Sequence, residues 1–314
     1  MWPPGFRISE WLLLAFFGYA ALLIPRFADR PRLRRYPIVL FAFVCSLIAA
    51  VACGENSRFA RTVSYFRDWL PLGLTLLAFS EMKLFVPRQF TGRREGSWIR
   101  WDDRFLVGWR ARSCIESMGK TIPFYLEFCY LLVYGVAAYC VAILYLTRKR
   151  SLVDRFLTIY LTGTLPAYAL FPYFPSQPPR TAFPAVAAPS VTSWVCKLNW
   201  KILDSASVQS GVFPSAHVSS AFSAAWAMLL LFPRRKLIGG GLVVYAASVS
   251  LATIYGRYHY IADVAAGFGI SLVAGAICLL FRRRRGARNN PVHLGAKAVS
   301  SLSKFRNLET EPGA

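Results

Sequence analysis

His259 and Asp263 stand four residues apart in Tyr255-Gly256-Arg257-Tyr258-His259-Tyr260-Ile261-Ala262-Asp263. On a helix that spacing puts both side chains on one face, where a carboxylate can reach an imidazole nitrogen. A carboxylate on one nitrogen fixes the tautomer and leaves the other as a nucleophile or base. The same spacing would also serve a structural His–Asp pair at a helix start. A second histidine closes Val212-Phe213-Pro214-Ser215-Ala216-His217. Pro and Ser directly before an apolar run form a helix start. The Ser215 hydroxyl, the free N–H groups of the first turn and the positive end of the helix dipole then make an anion site. A Ser N-cap beside an unrelated His reads equally well from that segment alone. The third and last histidine, His293, lies in a basic tail and reads as solvated surface.

The elements that must carry these residues are membrane helices. The chain has 37 Lys and Arg against 15 Asp and Glu, a formal charge of +22, yet 55% of it is hydrophobic and 17% charged. Such figures coexist only when the charges are segregated from long apolar runs, which excludes a soluble nucleic-acid-binding domain, a disordered chain and a disulfide scaffold. Seven cysteines, scattered in or near apolar runs with no C-x-x-C pair, read as small apolar residues. Eight runs are near the length a bilayer needs: Ile8–Pro25, Pro37–Cys53, Tyr65–Phe85, Ile122–Leu146, Leu152–Tyr173, Val212–Phe232, Leu237–Gly256 and Tyr260–Phe281. The first is read as a retained anchor; Glu81, Asp154 and Arg155 are read as interfacial charges near helix ends.

Short basic connections, Thr147–Ser151 and Pro233–Lys236, and the Arg282–Arg285 run share one side if the last four spans alternate, and their charge assigns that side to the cytoplasm. The segment Phe174–Gly211 and the link near Arg257 then face outward, so His217 and His259 both sit at outer span ends. The N-terminal half conflicts with this. Arg26–Tyr36 is strongly basic and asks to be inside, as does the arginine-rich Pro87–Thr121, yet eight alternating spans put both outside. Trp98–Lys120, which mixes Trp and Phe with Arg and Asp, reads as an interfacial helix. Six to eight spans are therefore expected, with a disordered tail after Arg288.

Pro214-Ser215-Ala216-His217 resembles the second motif of the type 2 phosphatidic acid phosphatase superfamily, and His259 to Asp263, followed by Val264 and Gly267, resembles its third. The first motif, Lys followed after six residues by Arg-Pro, is absent. Its nearest counterpart is Tyr173-Phe174-Pro175-Ser176-Gln177-Pro178-Pro179-Arg180, with Tyr173 in the Lys position. The Pro-Pro-Arg ending is similar to the inositolphosphotransferase-like branch, which includes inositol phosphorylceramide synthases. Ala252 and Thr253 stand where the third motif usually has Ser-Arg, and Arg257 lies two residues before His259 instead.

The resemblance implies an all-α membrane bundle: a six-helix phosphatase-type core over residues 122–281, preceded by N-terminal membrane helices and a surface loop (1–121) and followed by a basic cytoplasmic tail (282–314). It also implies phosphoryl transfer through a phosphohistidine. His259 would attack phosphorus, oriented by Asp263, and His217 would act as acid and then base. Arg180, Ser215 and Arg257 would hold the phosphate. No cofactor or metal is called for. The expected partners are a membrane lipid substrate and anionic lipids at the basic loops, not nucleic acid. The expected place is a bacterial inner membrane, with the site on the outer face and the C-terminus cytoplasmic. Water as acceptor gives a lipid phosphatase, the broader expectation; an alcohol gives a headgroup transferase. A transporter is the competing class, although transport sites favour the membrane midplane. A catalytically inactive lipid-binding relative is a third.

Overall fold

The computed structural model of the chain describes residues 5–27, 33–86, 94–206 and 211–288, with side chains through Leu280 except at Ala206. The expected tail after Arg288, with His293, lies outside the described residues. Among them the regular structure is helical, apart from one isolated bridge between Ser176 and Gly211. Three N-terminal helices, α1 (Ile8–Leu22), α2 (Tyr36–Gly54) and α3 (Ala60–Phe85), precede two short ones, α4 (Glu95–Asp103) and α5 (Ala111–Ser117). The fourth apolar run is split by a 3-10 turn at Val133–Gly135 into α6 (Thr121–Leu132) and α7 (Val136–Leu146). Then follow α8 (Val153–Leu170), the single turn α9 (Pro179–Ala182), α10 (Trp194–Ala206), α11 (Ala216–Leu231), α12 (Lys236–Tyr255) and α13 (Ile261–Arg288). The chain divides into two compact units, Met1–Gly275 and Ala276–Ala314; the described part of the second is the closing stretch of α13.

Among the described residues, four segments are long and apolar enough to cross a membrane: Tyr36–Gly54, Thr121–Leu146, Lys236–Tyr255 and Ile261–Leu280. Ile8–Leu22 and Ala216–Leu231 are apolar but shorter. The remaining long helices, α3 and α8, carry charges that are paired inside the bundle. At one end, Arg67 of α3 donates to Glu10 of α1 at 2.6 Å and to Glu55 beyond α2, while Arg7 and Arg150 both meet Asp68 at 2.6 Å. Asp154, in the first turn of α8, accepts from the Ser9 hydroxyl at 2.6 Å. The sequence reading of Asp154 as an interfacial charge thus acquires a specific partner. Glu81 differs: it is fully buried in α3, not interfacial, and neither of its oxygens has a hydrogen-bond partner.

These contacts settle which helix ends lie together. The N-termini of α1, α3 and α8 meet at the Thr147–Ser151 turn. The Lys149 ammonium lies 4.3 Å from the Phe232 ring centroid, which brings the Pro233–Lys236 turn to the same end. At the opposite end the Tyr19 hydroxyl donates to the Ala169 carbonyl at 2.7 Å, so α1 runs parallel to α8. All eight apolar runs are helical and alternate in direction, and the described parts of the two awkward basic stretches lie at the end opposite the short basic turns. One arginine of each lies over an aromatic ring there: Arg26 over Tyr173 and Arg94 over Phe174. Trp98–Lys120 is not one helix. It is α4, a π-helical turn at Arg104–Gly108 and α5.

Close approach of α8, α11 and α13 builds the core beneath the site. A Cβ on Gly163 of α8 would fall 1.9 Å from the Ser223 hydroxyl of α11, and the Ser219 hydroxyl donates to the Gly163 carbonyl at 2.8 Å. A Cβ on Gly267 of α13 would fall 2.3 Å from the Ser215 carbonyl oxygen. Small residues at these crossings let backbones touch, as membrane helices commonly do.

Candidate active site

Pro214 and Ser215 end the extended chain before α11. Ser215 is its N-cap, and its hydroxyl accepts from Val218 N at 3.4 Å. The Ser215 N–H donates to the Asp263 carbonyl at 3.0 Å, so the N-terminus of α11 is tied by backbone to the first turn of α13. Between α12 and α13 the chain turns at Arg257, whose φ of 59° lies in the left-handed region, an uncommon conformation for a residue other than Gly or Asn. The Thr253 carbonyl then accepts the N–H groups of both Tyr258 and His259, at 2.9 and 3.1 Å. This turn aims His259 at α11.

As a result the two imidazoles touch: His217 Nδ1 lies 3.1 Å from His259 Nε2. On the far side His259 Nδ1 lies 3.3 Å from Asp263 Oδ2, and the same carboxylate oxygen accepts the Tyr260 N–H at 3.0 Å. If His259 carries its proton on Nδ1, toward the carboxylate, then Nε2 is the bare nitrogen and His217 Nδ1–H points at its lone pair. Burial pushes the His259 imidazole well below its ordinary value, so the ring is neutral at pH 7. A neutral ring with one bare nitrogen is a competent nucleophile.

The pair opens into a cleft lined by His217, His259 and Arg180, with Tyr130, Tyr258, Phe79, Phe171 and Leu203 among its walls. Arg180 stands on α9, its guanidinium 5.7 Å from the Tyr258 ring centroid and 3.6 Å from Asp204. Its Nε is buried and has no hydrogen-bond partner. The other two residues expected to hold phosphate are turned elsewhere. Ser215 is fully buried as a cap and is not part of the lining. Arg257, 2% exposed, donates Nη2 to the carbonyls of Pro179 and Phe183 at 3.0 and 2.9 Å, and its own carbonyl accepts the Arg180 N–H. It therefore anchors the turn that carries Arg180.

Several residues at the site were not singled out from sequence. Tyr130 and Tyr134 of α6–α7 flank the His217 ring, with centroids 5.1 and 5.3 Å away. Tyr130 stacks on Tyr258 at 4.1 Å. The Tyr258 hydroxyl donates to the buried Glu127 at 2.7 Å, and Asn199 of α10 donates to the same oxygen at 2.7 Å. Glu127 could have been found, since a lone carboxylate inside an apolar run is a functional candidate by default. Phe79 reaches the cleft from α3, a helix that carries no recognisable motif.

A family model described as the PAP2 superfamily matches residues 98–277, more than half of the chain. No curated protein and no solved structure gives a match.

Proposed function

The chain belongs to the PAP2 superfamily, whose members are phosphatases or phosphotransferases, and from that premise we propose that it is an integral membrane lipid phosphatase working through a phosphohistidine. The observation that carries this reading is the His217–His259–Asp263 chain at the floor of a cleft that also holds the unsatisfied Nε of Arg180. His259 Nε2 bonds to phosphorus as the ester P–O bond breaks. His217, charged once the substrate dianion is beside it, gives its Nδ1 proton to the departing oxygen. It then takes a proton from the incoming water as that oxygen attacks phosphorus and the N–P bond breaks. Asp263 holds the His259 tautomer throughout and balances the positive ring of the phosphorylated state. Arg180 faces the charge that spreads over the phosphoryl oxygens.

With the His259 proton on Nδ1, the His217 Nδ1–H points at the lone pair that phosphorus must take. Substrate binding has to break that hydrogen bond, and the same N–H is then free for the leaving group. An apolar and aromatic wall from α3, α6, α10 and the turn after α8 suits a lipid whose phosphate enters the cleft while its chains stay in the bilayer. The reading puts the site on the outer face of a bacterial inner membrane and the C-terminus in the cytoplasm, because the short basic turns stand at the opposite end and suit anionic lipid there.

The second reading is a headgroup phosphotransferase, in which an alcohol replaces water. It is favoured by Pro178-Pro179-Arg180, the pattern similar to the inositolphosphotransferase-like branch, since α9 is built on those residues and brings Arg180 to the cleft. One experiment separates the two. Purified protein in detergent is given phosphatidic acid, an isoprenyl diphosphate and a phosphoinositide, each with and without an alcohol acceptor. Free phosphate, abolished in His259→Ala and His217→Ala, is expected for the phosphatase. A new phosphodiester formed at the expense of free phosphate would favour the transferase. Failure of wild type to turn over any of these lipids would sink both.

A further inference from the structure

The helix α4 belongs to the stretch between α3 and α6, which carries no motif, yet it rests on the backs of both motif segments. The Trp98 ring stacks on Phe213, centroids 5.2 Å apart and planes 18° apart, and packs against Tyr260 at 5.6 Å. Ile99 joins the apolar cluster of Val212 and Tyr260. One turn further on, Asp102 Oδ1 accepts the Ile261 N–H at 2.9 Å. Phe213 precedes His217 by four residues, and Ile261 follows His259 by two. The matched family region begins at residue 98, on this helix.

Asp102 is 2% exposed, a costly place for a carboxylate. Its role follows from the N-terminus of α13. The first N–H groups of a helix have no partner within it and must find acceptors. Here Tyr260 N–H goes to Asp263 Oδ2, which also faces His259 Nδ1, and Ile261 N–H goes to Asp102. We propose that Asp102 is a positioning residue for His259: by accepting the Ile261 N–H it leaves the Asp263 carboxylate to the imidazole. Without it, the part-buried Ile261 N–H lacks its acceptor, and Asp263, two residues on with its Oδ1 unpartnered, is the carboxylate of the same helix start that can turn to it, while its hold on His259 is already long at 3.3 Å. A small rotation of Asp263 toward its own helix start would then release the tautomer and orientation of the nucleophile. Burial raises Asp102 to about 7 against the pull of the Ile261 N–H and of Arg257, with Asp263 also raising it. The acceptor oxygen is thus needed more than the charge, and asparagine can supply it.

This inference rests on the phosphohistidine reading, and the experiment keeps the two apart. Wild type, H259A, D102A and D102N are assayed on the phospholipid that wild type turns over best, with kcat, KM and melting temperature measured for each. For D102A a fall in kcat of about 10- to 100-fold is expected, with KM within about twofold. D102N, which keeps an oxygen facing Ile261 N–H, is expected to retain kcat within about threefold. The amount of acid-labile phosphoenzyme trapped on rapid quenching should fall in D102A and recover in D102N. Wild-type kcat in D102A would overturn the proposal. So would equal losses in D102A and D102N, whether or not the melting temperature falls with them, because rescue by the retained acceptor is what the mechanism requires. If H259A keeps wild-type turnover, the phosphohistidine reading itself has failed, independently of Asp102.

Discussion

Replacing Gly267 by alanine puts a methyl carbon 2.3 Å from the Ser215 carbonyl oxygen, 3.2 Å from its carbon and 3.4 Å from Ser219 N. A carbon–oxygen contact is comfortable near 3.3 Å, so α13 and the start of α11 must separate by about 1 Å. The far side of the clash cannot give way by itself. The Ser215 carbonyl already accepts from Ser219 N at 3.0 Å, its N–H is bound to Asp263, and the residue is fully buried. The displacement therefore falls between the helices that carry the two histidines. If most of it lies along the His217–His259 line, the 3.1 Å contact opens to about 4 Å, beyond hydrogen-bond reach. A misplacement of that size costs on the order of 100-fold in rate. Overpacking costs about 1–3 kcal/mol of stability, partly offset by the roughly 1 kcal/mol that alanine gains over glycine in a helix. Gly269→Ala is the matched control, because a Cβ there meets nothing within 4 Å. The assay is kcat and KM on one phospholipid in detergent, with melting temperatures alongside. G267A within about threefold of wild-type kcat would refute the claim that this crossing sets the histidine geometry.

Arg67, 2% exposed between Glu10 and Glu55, should not tolerate Arg67→Met: stranding a buried carboxylate costs about 3–5 kcal/mol, read as a lower melting temperature with kcat per folded enzyme unchanged. Glu81 has no partner for either oxygen, so Glu81→Leu should raise the melting temperature, and a fall would show that the carboxyl has a role. Native cysteines test the orientation: Cys114, on α5 at the site end, and Cys53, at the opposite end, are both exposed. A membrane-impermeant maleimide should label Cys114 and spare Cys53 in intact cells, with C114S and C53S assigning the signals; the reverse pattern would invert the topology. Burial holds His259 below the ordinary 6.5, so the nucleophile stays unprotonated as pH falls through that value. With a phosphodiester donor, which does not itself titrate there, the acid loss of kcat/KM caused by His259 should begin only below pH 6.5; an acid limb at or above it would contradict the burial argument.

The parts of this protein that could be read from sequence are those whose logic is local. The eight apolar runs are legible because helix-forming length is a property of each run, and all eight are helical. His217, His259 and Asp263 could be nominated as candidates because helix starts and a spacing of four are local too. Residues whose role depends on a distant partner were hidden. Glu127 meets Tyr258 across 131 positions and Asp102 meets Ile261 across 159, and no periodicity links such pairs. Arg257 and Ser215 lie off the cleft lining for a different reason. A guanidinium or hydroxyl that suits a phosphate suits a backbone carbonyl or amide equally, and the nearest partner decides. Charge counting alone does not place Arg26–Tyr36 and Pro87–Thr121, because an arginine over an aromatic ring at the site end is indistinguishable, by composition, from one fixing a cytoplasmic loop. Trp98 and Asp102, which precede the expected boundary at residue 122, lie on the backs of the motifs, and Phe79 lines the cleft. A site of this kind is specified by the helices that lean on its catalytic residues as much as by the short segments that contain them, so truncating the chain at residue 122 would keep every motif and remove what holds them in register.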